Sequence, residues 1–162
     1  MKRITILLAA IALGLTGCRE TTKEHSTGVK ATSETQEQKS HVEPALTPDK
    51  SWTNEIVLNN GIKWSANTET TDGVRDMLKL ITDSKTKTTI DYKNLGEALN
   101  NIKNTVVKEC TMKGASHDNL HVWLHPLIEK IALLQKVENK KDGAQITSNL
   151  KEHLEAYYDY FE

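Results

Sequence analysis

Between Val74 and Phe161 apolar side chains return every three or four residues in four separate runs, a period that only amphipathic helices can bury on one side. Val74, Met77, Leu78 and Ile81 predict a first helix from about Thr71 to Asp83, with Thr70, Thr71 and Asp72 available to its first turn. Leu95, Leu99, Ile102, Val106 and Cys110 share a face of a second helix, which starts near Asp91 as a good N-cap and points Cys110 inward. Met112, Lys113 and Gly114 break the pattern. Ser116 is then placed to cap a third helix carrying Leu120, Leu124, Leu127, Ile128, Ile131 and Leu134, with a bend expected at Pro126. The fourth helix is expected from about Gly143 to Phe161, burying Ile146, Leu150, Leu154, Tyr157 and Phe161. Short polar connections imply antiparallel neighbours, so the predicted fold is mainly α, an up-and-down four-helix bundle.

A short β-hairpin is expected ahead of the bundle. Ile56, Leu58, Ile62 and Trp64 alternate around Asn60-Gly61, a dipeptide suited to the positive φ angles of a type I′ turn. Two strands alone are marginal in water, so these residues are expected to rest partly on the helices, joined by Trp52. Hairpin and helices together form one domain, residues 51–162, long enough for a single core without disulfides.

The beginning of the chain addresses it. Lys2 and Arg3 precede an apolar run from Ile4 to Leu15, which has signal-peptide length and is too short to span a bilayer. Leu15-Thr16-Gly17-Cys18 follows, and it resembles the lipobox of bacterial lipoproteins. That resemblance implies cleavage of residues 1–17, a thioether-linked diacylglycerol on Cys18 and, in many bacteria, a further acyl chain on its amino group. Several chains anchor stably in a lipid bilayer where one does not. Arg19 stands where, in that class, an Asp favours inner-membrane retention, so the resemblance points to the outer membrane of the cell envelope. The alternative is an ordinary cleaved signal peptide that leaves Cys18 a plain thiol.

Residues 18–50 are rich in Thr, Ser, Glu, Lys and Gln and hold too few apolar side chains to offset the entropy of ordering. They are expected to be a disordered tether, with a root-mean-square reach of roughly 30 Å. Cleavage removes Lys2 and Arg3, so the formal charge falls from −1 to about −3. A mildly acidic protein without a basic stripe lacks the electrostatic footprint for nucleic acid.

One segment concentrates chemistry. Cys110-Thr111-Met112-Lys113-Gly114-Ala115-Ser116-His117-Asp118-Asn119-Leu120-His121-Val122-Trp123-Leu124-His125 holds three of the six histidines, a thioether and, if Cys18 is lipidated, the last free thiol. His117, His121 and His125 form a stripe along the third helix, with His117 half-buried and His125 most exposed. Neighbouring members rise about 6 Å along the axis, within reach of one metal ion, whereas the outer two are about 12 Å apart. The turn between the second and third helices brings Cys110 and Met112 back towards His117. Thiolate and thioether are soft ligands and imidazole is borderline, so Cys110, Met112, His117 and His121 favour copper, with zinc second, and His125 and His153 as further candidates. A ligand role would also explain an unpaired thiol outside the cytoplasm.

Structural readings stand beside that one. Cys110 also serves as a small core residue, the histidines as a polar helix edge, and His153, between Leu150 and Leu154, as a hydrogen-bonded core histidine. No Cys-x-x-Cys-His haem motif, nucleophile elbow, phosphate-binding glycine loop or His-Glu-x-x-His occurs, so an enzyme is not expected. Residues 54–162 resemble small, largely uncharacterised bacterial envelope lipoproteins that share Leu58-Asn59-Asn60-Gly61-Ile62-Lys63-Trp64 and a Cys-Thr-Met-Lys-Gly segment followed by His-x-x-x-His. The resemblance implies fold and envelope location and no activity. Two functions are therefore carried forward: a metal-binding lipoprotein that buffers or passes on copper, and a metal-free module in which exposed aromatics such as Trp123, Tyr158 and Tyr160 dock another envelope protein.

Overall fold

Four long helices, α1 (Thr68–Asp83), α2 (Thr89–Glu109), α3 (Ala115–Gln135) and α4 (Lys140–Glu155), make up most of residues 50–162, the part of the chain that the computed structural model describes. A single 3-10 turn, Ser51–Asn54, precedes them, and a short helix, α5 (Tyr157–Tyr160), follows. The leader, Cys18 and the tether as far as residue 49 lie outside the described residues. The fold is mainly helical and compatible with a helical bundle. α2 packs against α1 and α3, while α4 packs against α3, α1 and α2, and the 3-10 turn rests on α3. No helix among the described residues is long and apolar enough to cross a membrane.

The three-and-four spacing is realised as one core. Val74 and Met77 from α1, Leu99 from α2, Leu120 and Leu127 from α3, and Ile146, Leu150 and Leu154 from α4 are all buried. Each such side chain is worth roughly 1.5–3 kcal/mol relative to exposure, which is why the pattern dictates the fold more strongly than local propensity does.

Helix ends differ from the expectations in instructive ways. α2 begins not at Asp91 but with Thr88 as its cap: Thr88 Oγ1 accepts from the Asp91 N–H at 3.2 Å, and the Asp91 carboxylate accepts from the N–H groups of Thr88 at 2.8 Å and Lys87 at 2.9 Å. Those backbone donors, Lys87's first, hold the Asp91 carboxyl below the usual carboxylate range. α3 starts behind Gly114, whose φ of 60° and ψ of −145° suit glycine alone, and Ser116 already lies inside the helix, its hydroxyl donating back to the Lys113 carbonyl at 3.2 Å. α3 runs through Pro126 as one element. The expected fourth helix stops at Glu155, and Phe161 lies beyond α5 in extended backbone.

The expected hairpin is reduced to its turn. Asn60 and Gly61 do adopt positive φ, 53° and 85°, and Asn59 and Ile62 exchange two backbone hydrogen bonds, but no strand forms among the described residues. Tertiary partners take the ladder groups instead. The Val57 N–H donates to Asn119 Oδ1 at 2.8 Å, and the Val57 carbonyl accepts from Trp64 Nε1 at 2.6 Å. Trp64 in turn pairs in parallel with the C-terminal segment, donating to the Tyr160 carbonyl at 2.8 Å and accepting from the Glu162 N–H at 3.0 Å. Ile56 and Trp52 are buried and Trp64 partly so, as expected, whereas Ile62 is 64% and Leu58 38% exposed and neither packs against the core.

Candidate metal centre between α2 and α3

The α3 backbone places His117, His121 and His125 one turn apart, the first two half-buried and the third exposed. His121 is the middle member of a continuous chain of rings. Its Nε2 lies 3.2 Å from His117 Nε2, and its Nδ1 lies 3.2 Å from His125 Nε2. The ring centroids are 4.4 Å and 5.2 Å apart, and both pairs meet edge to face. A neutral imidazole has one N–H donor and one bare nitrogen, so the two hydrogen bonds are coupled. If His117 donates to His121, then His121 donates through Nδ1 to His125, and a reversal of one bond reverses the other.

The same spacing suits chelation. Two imidazole nitrogens bound to one ion at about 2.0–2.1 Å and separated by 3.2 Å subtend roughly 100–106° at the ion, near the tetrahedral value. His117 with His121 is therefore spaced for bidentate ligation through the two Nε2 atoms once the proton shared between them has left and both lone pairs turn to the ion.

Across from the stripe, Val106, Val107 and Cys110 at the end of α2 complete a cleft of about 120 Å³ with Leu124 and the three histidines. Cys110 is a free, half-buried thiol at the C-terminal boundary of α2. The rest of the cleft wall is aliphatic, supplied by Val106, Val107, Leu120, Leu124 and Ile128. Met112 lies apart from it: its side chain is half-buried against the main core and does not line the cleft. Among the described residues no three His, Cys, Asp or Glu side chains gather into a closed metal cage. The cluster is a histidine pair, with a thiol and a third histidine as cleft neighbours.

Electrostatics keep the central ring neutral. Burial lowers the His121 pKa below the ordinary imidazole value, the charges of His117 and then His125 lower it further, and Asp118 opposes them. A neutral imidazole is the form that binds metal.

His153 belongs to a different place. It is buried on α4, its Nε2 donates to the Trp123 carbonyl at 2.8 Å, and its ring stacks on Trp123 with centroids 5.6 Å apart. Trp123 itself, expected as an exposed docking aromatic, is fully buried, because α4 covers that face of α3. Tyr158 and Tyr160 are partly buried.

Periodicity fixes the spacing of the histidines and not their ring rotamers, so the bridging of both neighbours by His121 was not legible in advance. Nor could it supply Val106 and Val107 as the opposite wall. No protein-family model, no curated protein and no solved structure matches this chain.

Proposed function

We propose that the protein is a lipid-anchored envelope lipoprotein, acylated at Cys18 and held at a membrane, more readily the outer one, that binds a soft or borderline metal ion beside α3. Copper fits the donor set best and zinc second, for buffering or transfer of the ion. His117 and His121 supply the primary pair, Cys110 the soft donor from across the cleft, and His125 a reserve imidazole. Met112 joins only if the turn at Gly114 rearranges around the ion. On this reading the four long helices form an up-and-down bundle that holds the site rigidly on one flank.

The observation that carries the reading is the 3.2 Å separation of the His117 and His121 Nε2 atoms beside a cleft that contains a free thiol. The test is anaerobic copper(I) titration against a competing chelator, with Cys18→Ser in all samples so that its thiol does not contribute. One-to-one binding that disappears in the Cys110→Ser, His117→Ala, His121→Ala variant supports the site. Equal binding by parent and variant removes it.

A second reading has its own support. Val57 and Ile62, at the turn ahead of α1, are 57% and 64% exposed. Large apolar side chains on a protruding turn favour a metal-free module that docks a partner envelope protein. Crosslinking from the turn in intact cells would capture a stoichiometric partner under this reading, and Val57→Ser with Ile62→Ser would abolish the capture.

A further inference from the structure

The molecule provides for two of its three indole N–H groups: Trp64 Nε1 donates to the Val57 carbonyl at 2.6 Å and Trp123 Nε1 to the His153 carbonyl at 3.1 Å. Trp52 breaks that rule. It is 3% exposed, and its Nε1 is a buried donor with no hydrogen-bond partner. An unmatched buried N–H costs on the order of 1–3 kcal/mol, so a fold that keeps one has reason to have it met by something else.

Trp52 forms one wall of a cleft of about 130 Å³ between the 3-10 turn, α3, α4 and α5. Three other buried polar residues line it: Lys130 at 4% exposure, Asn149 at 3% and His153 at 4%. The donors dominate. Gln145 Nε2 donates to Asn149 Oδ1 at 3.1 Å, which commits the amide oxygen and leaves Asn149 to present N–H groups. His153 Nε2 donates to the Trp123 carbonyl. An ammonium carries three N–H donors and a primary amide two, so a ligand can share Lys130 and Asn149 with the contacts each already makes within the fold. The aromatic side is built from Trp52 against His153, with centroids 4.7 Å apart, and against Tyr160, at 5.8 Å.

We propose that this cleft binds a small monocarboxylate, its head accepting from Trp52 Nε1–H, the Lys130 ammonium and the Asn149 amide, and its short apolar body lying against Trp52 and Tyr160. Charge selects the class. Lys130 is the buried cation of the lining, while at its exposed rim Glu152 pairs with Lys50 at 3.8 Å and Asp159 adds a further carboxylate, so the charge balance suits one negative charge better than phosphate or another dianion. Size selects within the class, since the volume admits only a few heavy atoms behind the head. The carboxylate can be that of a free short acid or of a peptide chain end.

The experiment follows the indole N–H resonances of 15N-labelled protein during titration with butyrate and, separately, with N-acetyl-alanyl-alanine, at constant ionic strength set by chloride. Trp52→Phe identifies the Trp52 signal. The expected result is a saturable downfield shift of that signal with those of Trp64 and Trp123 unmoved. Response to butyrate assigns a free acid, and response to the peptide alone assigns a chain end. Lys130→Met, which keeps the apolar stem, is expected to weaken binding roughly tenfold or more. Asn149→Asp, which adds a like charge in the cleft, is expected to abolish it and decides the matter if Lys130→Met fails to keep the Trp64 and Trp123 resonances. A Trp52 signal that ignores both probes, or that shifts equally in parent and Asn149→Asp, overturns the proposal.

Discussion

Trp123 and His153 are joined by two hydrogen bonds that run in opposite directions between α3 and α4: Trp123 Nε1 donates to the His153 carbonyl at 3.1 Å, and His153 Nε2 donates to the Trp123 carbonyl at 2.8 Å. Because a carbonyl only accepts, the second bond fixes His153 with its proton on Nε2. Both residues are buried, so neither bond is replaced by water when its donor is removed. Trp123→Phe keeps most of the ring volume and deletes one donor. A loss of about 1–3 kcal/mol is expected, read as a lower urea midpoint at unchanged slope.

Stability is expected to depend on pH through His121. The unfolded chain takes up its imidazole proton near the ordinary value of 6.5, whereas burial and then the neighbouring His117 and His125 charges lower the folded value. Between the two the unfolded state binds more protons, so stability rises with pH across the window just below 6.5 and falls on acidification through it. His121→Gln should flatten that part of the profile. Midpoints that track pH equally in parent and variant would place the dependence elsewhere.

Tyr157 gives the opposite slope at high pH. Burial, assisted by Tyr158 and Cys110 and opposed by the hydrogen bond with Thr71, pushes its phenol up to about 12 from 10.0. The unfolded state releases the proton first, so the stabilising effect of a protonated folded phenol is complete below 10.0 and is lost as pH rises towards 12. Ultraviolet difference titration should show one of the four tyrosines ionising only together with unfolding, and Tyr157→Phe should remove that late step.

Gly96 marks a close approach of α2 to the end of α3. A Cβ there would lie 2.9 Å from the Gln135 backbone nitrogen and 3.2 Å from its Cα. Gly96→Ala gains about 1 kcal/mol of helix propensity and yet should destabilise the fold by a net ~1–3 kcal/mol, because backbone atoms cannot step aside as a side chain would. A thermal melt with a raised midpoint would show that the two helices part without cost.

Local pattern carried the helices, and tertiary choice decided what it did not. Leu95, Leu99 and Val106 fix the phase of α2 whatever surrounds it, so that helix could be read directly from the sequence. Val57 could not, because its backbone pairs with the side chains of Asn119, far along the chain, and of Trp64 instead of with a neighbouring strand. Trp123 lies about 60° round the helix from Leu120, a position that only the placement of α4 turns from surface into core. At the candidate site the four-residue histidine spacing and the return of Cys110 were legible, while the separation of Met112 from the cleft follows from the path taken at Gly114.

Trp64 and Ala66 meet Tyr160 and Glu162 through three parallel hydrogen bonds of 2.8–3.0 Å, with the whole set of long helices between them in sequence. Tension applied across the two ends of the domain pulls the Trp64 segment backwards and the Phe161 segment forwards, so it loads those bonds in shear, all at once, instead of unzipping them singly. Forced extension is governed by the rate of crossing the unfolding barrier. Once Trp52 and Ile56 have been drawn out of the core, this small latch bears the load, and the helices behind it are shielded until it gives way.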